Sequence, residues 1–320
     1  MINAHRCLTW LAALGLMGGA NCSSAPVPEQ AQATSTPLPP GFSAYWHQGK
    51  AEVTSYTLDQ ARYGELHRGE AVLVYVTEDL SRKKQVKLDN PSATPDDAVP
   101  VLKLNLVKKF ATGVYDYSIM TSTFTPTDQG RFPHTLKVTT SVQEWCGNAF
   151  TQLNLRPKGG YAVSQKSYFE SEGDVESNLE PALLEDELWT RIRLNPATLP
   201  TGSVKVVPGT VSARLRHHPL QPEQATLSLA DAPAGKAGQA GVLAYTVAYS
   251  TPSSRRLVIY FEKAFPHGIV GWEETYPDQA GSAKPQMLTT RATRKKTMML
   301  DYWRTHNNEH AALRDSLGLK

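Results

Sequence analysis

The chain has 320 residues, of which 40% are hydrophobic and 20% are charged, a composition typical of folded globular proteins rather than disordered ones. Its formal net charge is only +3, which gives no basis for nucleic acid as a partner. This length can form one large β domain or two smaller ones.

The first 21 residues have the pattern of a secretory signal peptide. A basic start at His5 and Arg6 precedes a short apolar run and then small residues, and the apolar run is too short to span a bilayer. Cys22 follows at the position where a lipoprotein is cut and lipidated, although Asn21 stands where Gly, Ala or Ser is usual. We predict an exported protein anchored to a membrane through lipidated Cys22; cleavage without lipidation is the alternative.

Residues 22–40 are rich in Pro, Ala, Ser and Thr and show no periodicity, which predicts an extended tether. Residues 41–320 are predicted to form a single antiparallel β domain. Because Cys7 belongs to the signal peptide and Cys22 to the tether, this domain contains only Cys146. It therefore has no internal disulfide, and its hydrophobic core must stabilise it.

Strand signals dominate from residue 42 onward. Alternating or β-branched and aromatic segments occur at 71–76, 101–106, 115–124, 135–145, 150–155, 161–169, 204–207, 225–229, 242–249, 257–261 and 269–276. Gly147 and Asn148 are predicted to form a hairpin turn between two of them. The prediction is an all-β, mainly antiparallel fold: a large curved sheet or open barrel with one internal helix and a C-terminal covering helix.

The internal helix is predicted to begin at Pro181 and to run to about Arg193, since its apolar residues recur every four positions. The C-terminal helix is predicted at about 297–317, where apolar residues and two histidines recur at spacings of three and four. This helix is expected to cover the sheet.

A zinc site is a weak alternative interpretation of the C-terminal segment. His306, Glu309 and His310 match the H-x-x-E-H pattern, in which two histidines of one helix face bind zinc and the glutamate acts as a base. That pattern needs a third acidic ligand well downstream, and the chain has only ten residues after His310. We therefore predict no metal and no cofactor; nucleotide-binding glycine loops and the G-x-S-x-G motif are also absent from the sequence.

Six stretches of the sequence carry a resemblance to a known family: 60–79, 83–91, 101–126, 135–155, 168–174 and 184–196. They resemble bacterial exported lipoproteins of unknown function, which often carry the label septum formation inhibitor Maf. The chain lacks the S-x-S-P-R-R motif of Maf nucleotide pyrophosphatases, so that label does not describe it. The resemblance implies a location in the periplasm or at the outer membrane and implies no catalytic residues.

The leading functional hypothesis is a non-catalytic cell-envelope lipoprotein that binds an apolar, lipid-like ligand or a partner protein on its curved sheet. Concave apolar surfaces suit such ligands, and aromatic strands supply the lining. The candidate binding residues are Tyr115, Tyr117, Met120, Phe124 and Trp145.

Two further hypotheses remain open at this point. One is an envelope hydrolase that uses Glu144, Cys146, Glu170 or Glu172 with a nearby histidine; convergence of these side chains in one cleft would favour it. The other is a structural or assembly protein of the outer membrane, which an exposed apolar patch rather than a pocket would indicate.

Overall fold

The computed structural model describes residues 35, 37–234, 241–250, 254–279, 281 and 283–319. The predicted signal peptide, Cys22 and most of the predicted tether lie outside these residues. The chain from residue 34 onward groups into one compact unit.

Within the described part of the chain, fifteen strands form one sheet. The first eight are β1 (Ala51–Arg62), β2 (Glu65–Ser81), β3 (Ala98–Thr112), β4 (Tyr115–Pro126), β5 (Lys137–Glu144), β6 (Gly147–Leu155), β7 (Tyr161–Ser167) and β8 (Asp174–Leu179). The other seven are β9 (Leu183–Leu184), β10 (Gly202–Val207), β11 (Glu223–Asp231), β12 (Val242–Tyr249), β13 (Arg256–Glu262), β14 (Ile269–Asp278) and β15 (Gln286–Leu300).

Short helices accompany the sheet. They are α1 (Phe42–Trp46), α2 (Glu185–Leu194), α3 (Thr210–Leu215) and α4 (Ala312–Ser316). None of these described helices is long and apolar enough to cross a membrane.

The sheet consists of two meanders that are joined by the pairing of the first strand, β1, with the last strand, β15. From β1 to β8 and from β10 to β15, strands that follow each other pair antiparallel, and β1 pairs antiparallel with β15. Only β9 and β10 pair in parallel among the described strands. The sheet therefore runs from β8 at one edge to β9 at the other. This confirms the predicted all-β, mainly antiparallel open sheet.

The concave face of the sheet wraps around α2. Leu188 and Ile192 are completely buried, and Trp189 meets Trp272 of β14 edge to face with ring centroids 5.2 Å apart. On the other side of the helix, the Tyr75 hydroxyl of β2 donates to the Trp189 carbonyl (3.2 Å). The helix that the sequence predicted from Pro181 begins four residues later, because β9 comes before it.

The prediction of a C-terminal helix over 297–317 is wrong for its first two-thirds. Residues 297–300 belong to β15, where Thr297 pairs with Thr54 of β1 and Leu300 with Ala51. Only α4 is α-helical in this region. Backbone hydrogen bonding of β15 to its neighbouring strands outweighs the weak local preference for a helix that a spacing of three and four indicates. The segment does cover the sheet, since Leu317 packs with Val53 against its convex side.

The predicted turn at Gly147 and Asn148 is two residues out of place. β5 and β6 pair from Glu144 opposite Gly147, so the turn consists of Trp145 and Cys146. This moves Trp145 from the end of a predicted strand to the tip of a hairpin, where it and Cys146 are exposed.

Candidate functional site

Four hairpin turns meet at one end of the sheet, because β2, β4, β6 and β8 each run antiparallel to the strand before them and start at this end. We call this end the rim and define it by the turns 63–64, 113–114, 145–146 and 168–173. Each turn exposes a large apolar side chain: the exposed fractions are 38% for Tyr63, 80% for Val114, 70% for Trp145 and 67% for Tyr168. Large apolar side chains are seldom exposed at four neighbouring turns of a folded protein unless they contact another molecule.

Ring contacts join the first three turns of the rim. The hydroxyls of Tyr63 and Tyr117 lie 2.7 Å apart, and Tyr117 stacks on Phe110 with centroids 4.8 Å apart. Tyr115 lies 5.8 Å from Tyr117 and 6.4 Å from Trp145 between ring centroids. Contacts between aromatic rings therefore link the three hairpins, and the connecting rings of Tyr117 and Phe110 are buried beneath the exposed tips.

The fourth turn extends these contacts to α3. A Cβ atom on Gly147 would lie 2.6 Å from Cγ of Tyr168, so the absence of a side chain at Gly147 lets the tyrosine ring rest on the neighbouring hairpin. Phe169 follows, with its ring 5.5 Å from Tyr168 and 5.7 Å from His217, just beyond α3. Arg62 fastens α3 to the rim by donating to the Leu215 carbonyl.

An acidic residue accompanies each apolar tip. These residues are Glu65, Asp116, Glu144 and Glu170. Glu65, Asp116 and Glu170 are exposed and form no ion pair with any residue that the structure describes. The rim therefore combines exposed apolar side chains with carboxylates, and the guanidinium of Arg62 lies among them over the Tyr63 ring.

The residues of the hydrolase hypothesis divide between two places. The Glu144 carboxylate accepts a hydrogen bond from the backbone N–H of Cys146 (2.7 Å) at the exposed hairpin tip. The hydrogen bond to Glu144, with partial burial and the carboxylate charge, raises the pKa of the Cys146 thiol, which opposes thiolate formation. Glu170 is exposed, and Glu172 binds other partners in the adjacent groove.

This groove lies beside the rim on the concave face of β6, β7 and β8. Its volume is about 360 Å³, and residues 210–220 form its opposite wall. Glu172 is its polar centre: it accepts from Ser167 Oγ (2.6 Å) and Arg214 (3.0 Å), and it lies 2.5 Å from His217 Nδ1. Burial raises the pKa of Glu172, but the Ser167 and His217 hydrogen bonds and the Arg214 charge outweigh this and lower it.

The edge of the sheet borders the groove. β8 pairs only with β7, and five of its six residues are exposed. Val175 and Ser177 line the groove. Asp174 and Glu176 alternate with them and share Lys166, at 3.7 and 3.0 Å. One side of β8 is therefore open to solvent along its length.

Beneath α3, charged side chains are buried inside the sheet. Arg255 donates from Nε to Glu274 (2.6 Å) and from its two terminal nitrogens to Glu185 (2.5 and 2.6 Å). Tyr249 also donates to Glu185 (2.7 Å). Burial raises the pKa of Glu274, but the charges of Arg255 and Lys108 outweigh it and lower the pKa to about 2. These groups connect β12, β13 and β14 to the start of α2.

Asp186 and Lys108 complete this interior cluster. Asp186 Oδ2 accepts from the backbone N–H (3.0 Å) and the hydroxyl (2.9 Å) of Thr210, which anchors α3. Burial raises the pKa of Asp186 to about 7 and lowers that of Lys108. The cavity between them is about 40 Å³, which holds roughly three water molecules. It has no room for an acyl chain.

The sequence-predicted binding residues do not share one surface. Tyr115 and Tyr117 lie on the concave face of β4 near the rim, and Trp145 joins them there. Met120 and Phe124 have the opposite parity on β4, so they point to the convex face; Met120 is 42% exposed. The sequence reasoning missed Tyr63, Tyr168 and Arg214, which have no local signal because only the strand topology brings them to the rim and the groove.

The predicted zinc residues lie away from the rim. His306 precedes a short 3₁₀ turn that contains Glu309 and His310, and His310 Nε2 is 3.9 Å from the Glu309 carboxylate. In the described part of the chain, no group of three or more His, Cys, Asp or Glu side chains could hold a metal ion.

No family model and no curated protein matches this chain. Among solved structures, it is similar to a crystal structure of a β-barrel-like protein of a domain of unknown function, DUF1849, from Brucella abortus. The identity is 12%, the TM-score is 0.45, and the match covers 79% of this chain and 98% of the other. That protein is β-rich and has no stated function, so no activity or site residue transfers from it.

Proposed function

We propose that this chain is a non-catalytic cell-envelope protein that binds a partner protein through its rim. The observation that carries the proposal is the set of large apolar side chains exposed on four hairpin tips at one end of the sheet, each within two residues of a carboxylate. The signal peptide pattern and Cys22 support export and lipid anchoring, as the sequence predicts.

The two ligand classes of the leading hypothesis differ in how well they fit. An apolar ligand on the concave sheet would need an open interior, whereas α2 and the charged cluster fill that space in the described structure. A partner protein needs a surface with aromatic anchors and a polar border. Tyrosine and tryptophan dominate the binding energy of such surfaces, and the rim exposes two tyrosines and one tryptophan at its tips.

The charge of the rim restricts the partner. Carboxylates beside each tip repel the anionic head groups of a bilayer surface, and they attract a protein surface that carries lysine and arginine. The partner we expect is therefore a protein with an apolar patch bordered by basic residues. An outer-membrane assembly role is one context in which such docking would operate.

Site-specific photo-crosslinking in a bacterial envelope tests this proposal. A photoreactive amino acid at Trp145 or at Tyr168 should crosslink to one discrete protein. The same amino acid at Met120, an exposed apolar position on the convex face, is the matched control. The double change Trp145→Ala and Tyr168→Ala should reduce co-purification of that protein more than tenfold, since each anchor contributes about 2 kcal/mol.

Equal crosslinking from positions 120 and 145, or none from positions 145 and 168, would refute the proposal. The thermal stability of the double variant must remain that of the parent protein, because both side chains are largely exposed. A large loss of stability would show that the rings support the fold instead.

A further inference from the structure

β8 forms one edge of the sheet and pairs on one side only, with β7. A six-residue strand directs about three N–H and three C=O groups toward its free edge. At β8 these groups face solvent, since β7 occupies only the other side. Unpaired edges of this kind are sites where another extended chain adds to a sheet.

The side chains of β8 restrict which chain can add there. Asp174 and Glu176 carry negative charge along the strand, with Lys166 as their common partner. A second copy of β8 would bring the same acidic residues to the edge, and like charges on neighbouring strands disfavour pairing. Self-association through β8 is therefore opposed, whereas a basic strand is favoured.

The groove can accommodate the side chains on one face of an added strand. Val175 and Ser177 alternate with the two acids and line the groove, and Leu220 lies across from them in the opposite wall. Every second side chain of an added strand would point into this space of about 360 Å³. The intervening side chains would lie beside Asp174 and Glu176.

We propose that β8 binds an extended protein segment as an added strand, with lysine or arginine alternating with small apolar residues. The inference rests on the proposed function in one respect, namely that the segment belongs to the protein that docks on the rim. Backbone pairing with β8 provides the affinity, and the acids and the groove select the sequence of the segment.

A synthetic peptide with the sequence GKVKTKVKG tests the inference with the full-length protein. We expect saturable binding at low ionic strength, measured by fluorescence anisotropy. Two N-methylated forms are the decisive controls: one is methylated at the lysines of the central strand and the other at its valines and threonine. Successive amides of a strand point in opposite directions, so one form should bind like the parent and the other at least tenfold more weakly.

Charge reversal on the protein provides the second measurement. The double variant Asp174→Lys and Glu176→Lys should weaken peptide binding at least fivefold, whereas Asp89→Lys and Asp96→Lys, in the segment between β2 and β3, should leave it unchanged. All four side chains are exposed, so these variants are expected to fold.

The outcomes separate this inference from the proposed function. Equal behaviour of the two methylated peptides, or no binding of the parent peptide, overturns strand addition even if rim crosslinking succeeds. Selective loss with one methylated form, together with the effect of the β8 charge reversal, supports strand addition even if rim crosslinking fails.

Discussion

Replacing Asp186 with Asn should stabilise the protein at high pH and leave its stability nearly unchanged at low pH. Asp186 lies at the start of α2, largely buried, and its Oδ2 atom accepts both hydrogen bonds from Thr210. An asparagine oxygen can accept the same bonds without a charge. The substitution therefore keeps the link between α2 and α3 and removes only the ionisation.

The magnitude follows from the pKa of this carboxyl group in the folded and unfolded chain. Burial raises the pKa of Asp186 from 3.8 to about 7, so the folded state holds the proton more tightly than the unfolded state. The resulting stabilisation is fully present below pH 3.8 and is lost as the pH rises through about 7. A difference of about three pKa units, at about 1.4 kcal/mol each, corresponds to about 4 kcal/mol.

Urea unfolding of both proteins at intervals from pH 4 to pH 8 measures this difference. We expect Asp186→Asn to match the parent protein near pH 4 and to exceed its unfolding free energy by about 4 kcal/mol at pH 8. Asp116→Asn, on the exposed rim, is the control and should show no such trend. An advantage at pH 8 below about 1 kcal/mol would refute the reasoning that burial dominates at this site.

Three further predictions concern the interior and the anchor. Arg255→Met should cost about 3–5 kcal/mol of unfolding free energy, because it removes the guanidinium that pairs directly with two buried carboxylates; Arg256→Met, at the exposed neighbouring residue, should change it by less than about 0.5 kcal/mol. Gly209→Ala should cost about 1–3 kcal/mol in the same assay, since its Cβ would lie 2.5 Å from Glu185 Oε1. Cys22→Ser should shift the protein from the membrane to the soluble fraction of the envelope, and mass spectrometry should show the loss of the lipid.

The sequence predicts the strands well because half-buried strands leave a period-two pattern. β3 shows it clearly: Leu102, Leu104 and Leu106 point inward and the residues between them point outward. The same rule explains an error at β4, where aromatic residues were grouped without regard to parity. Tyr117 and Phe124 are seven positions apart, so they cannot lie on one face of a regular strand.

The interior cluster and the rim could not be predicted from local sequence. Lys108, Glu185 and Arg255 are far apart in the chain, and each belongs to a segment that also exposes similar charged residues. Their burial follows from the path of the sheet. The rim likewise depends on which ends of the strands coincide, which is a property of the topology rather than of any motif.

The width of the sheet explains why binding is expected at its borders. Barrels of about eight strands can fill their interior with their own side chains, whereas wider ones leave a channel unless something occupies it. Here fifteen strands curve around α2 and α3. The first turn of α2 brings Glu185 and Asp186 inside, and Arg255 and Lys108 balance that buried charge. The interior therefore offers little space for a ligand, whereas the exposed backbone of β8 and the apolar tips of the rim are surfaces that a partner can reach.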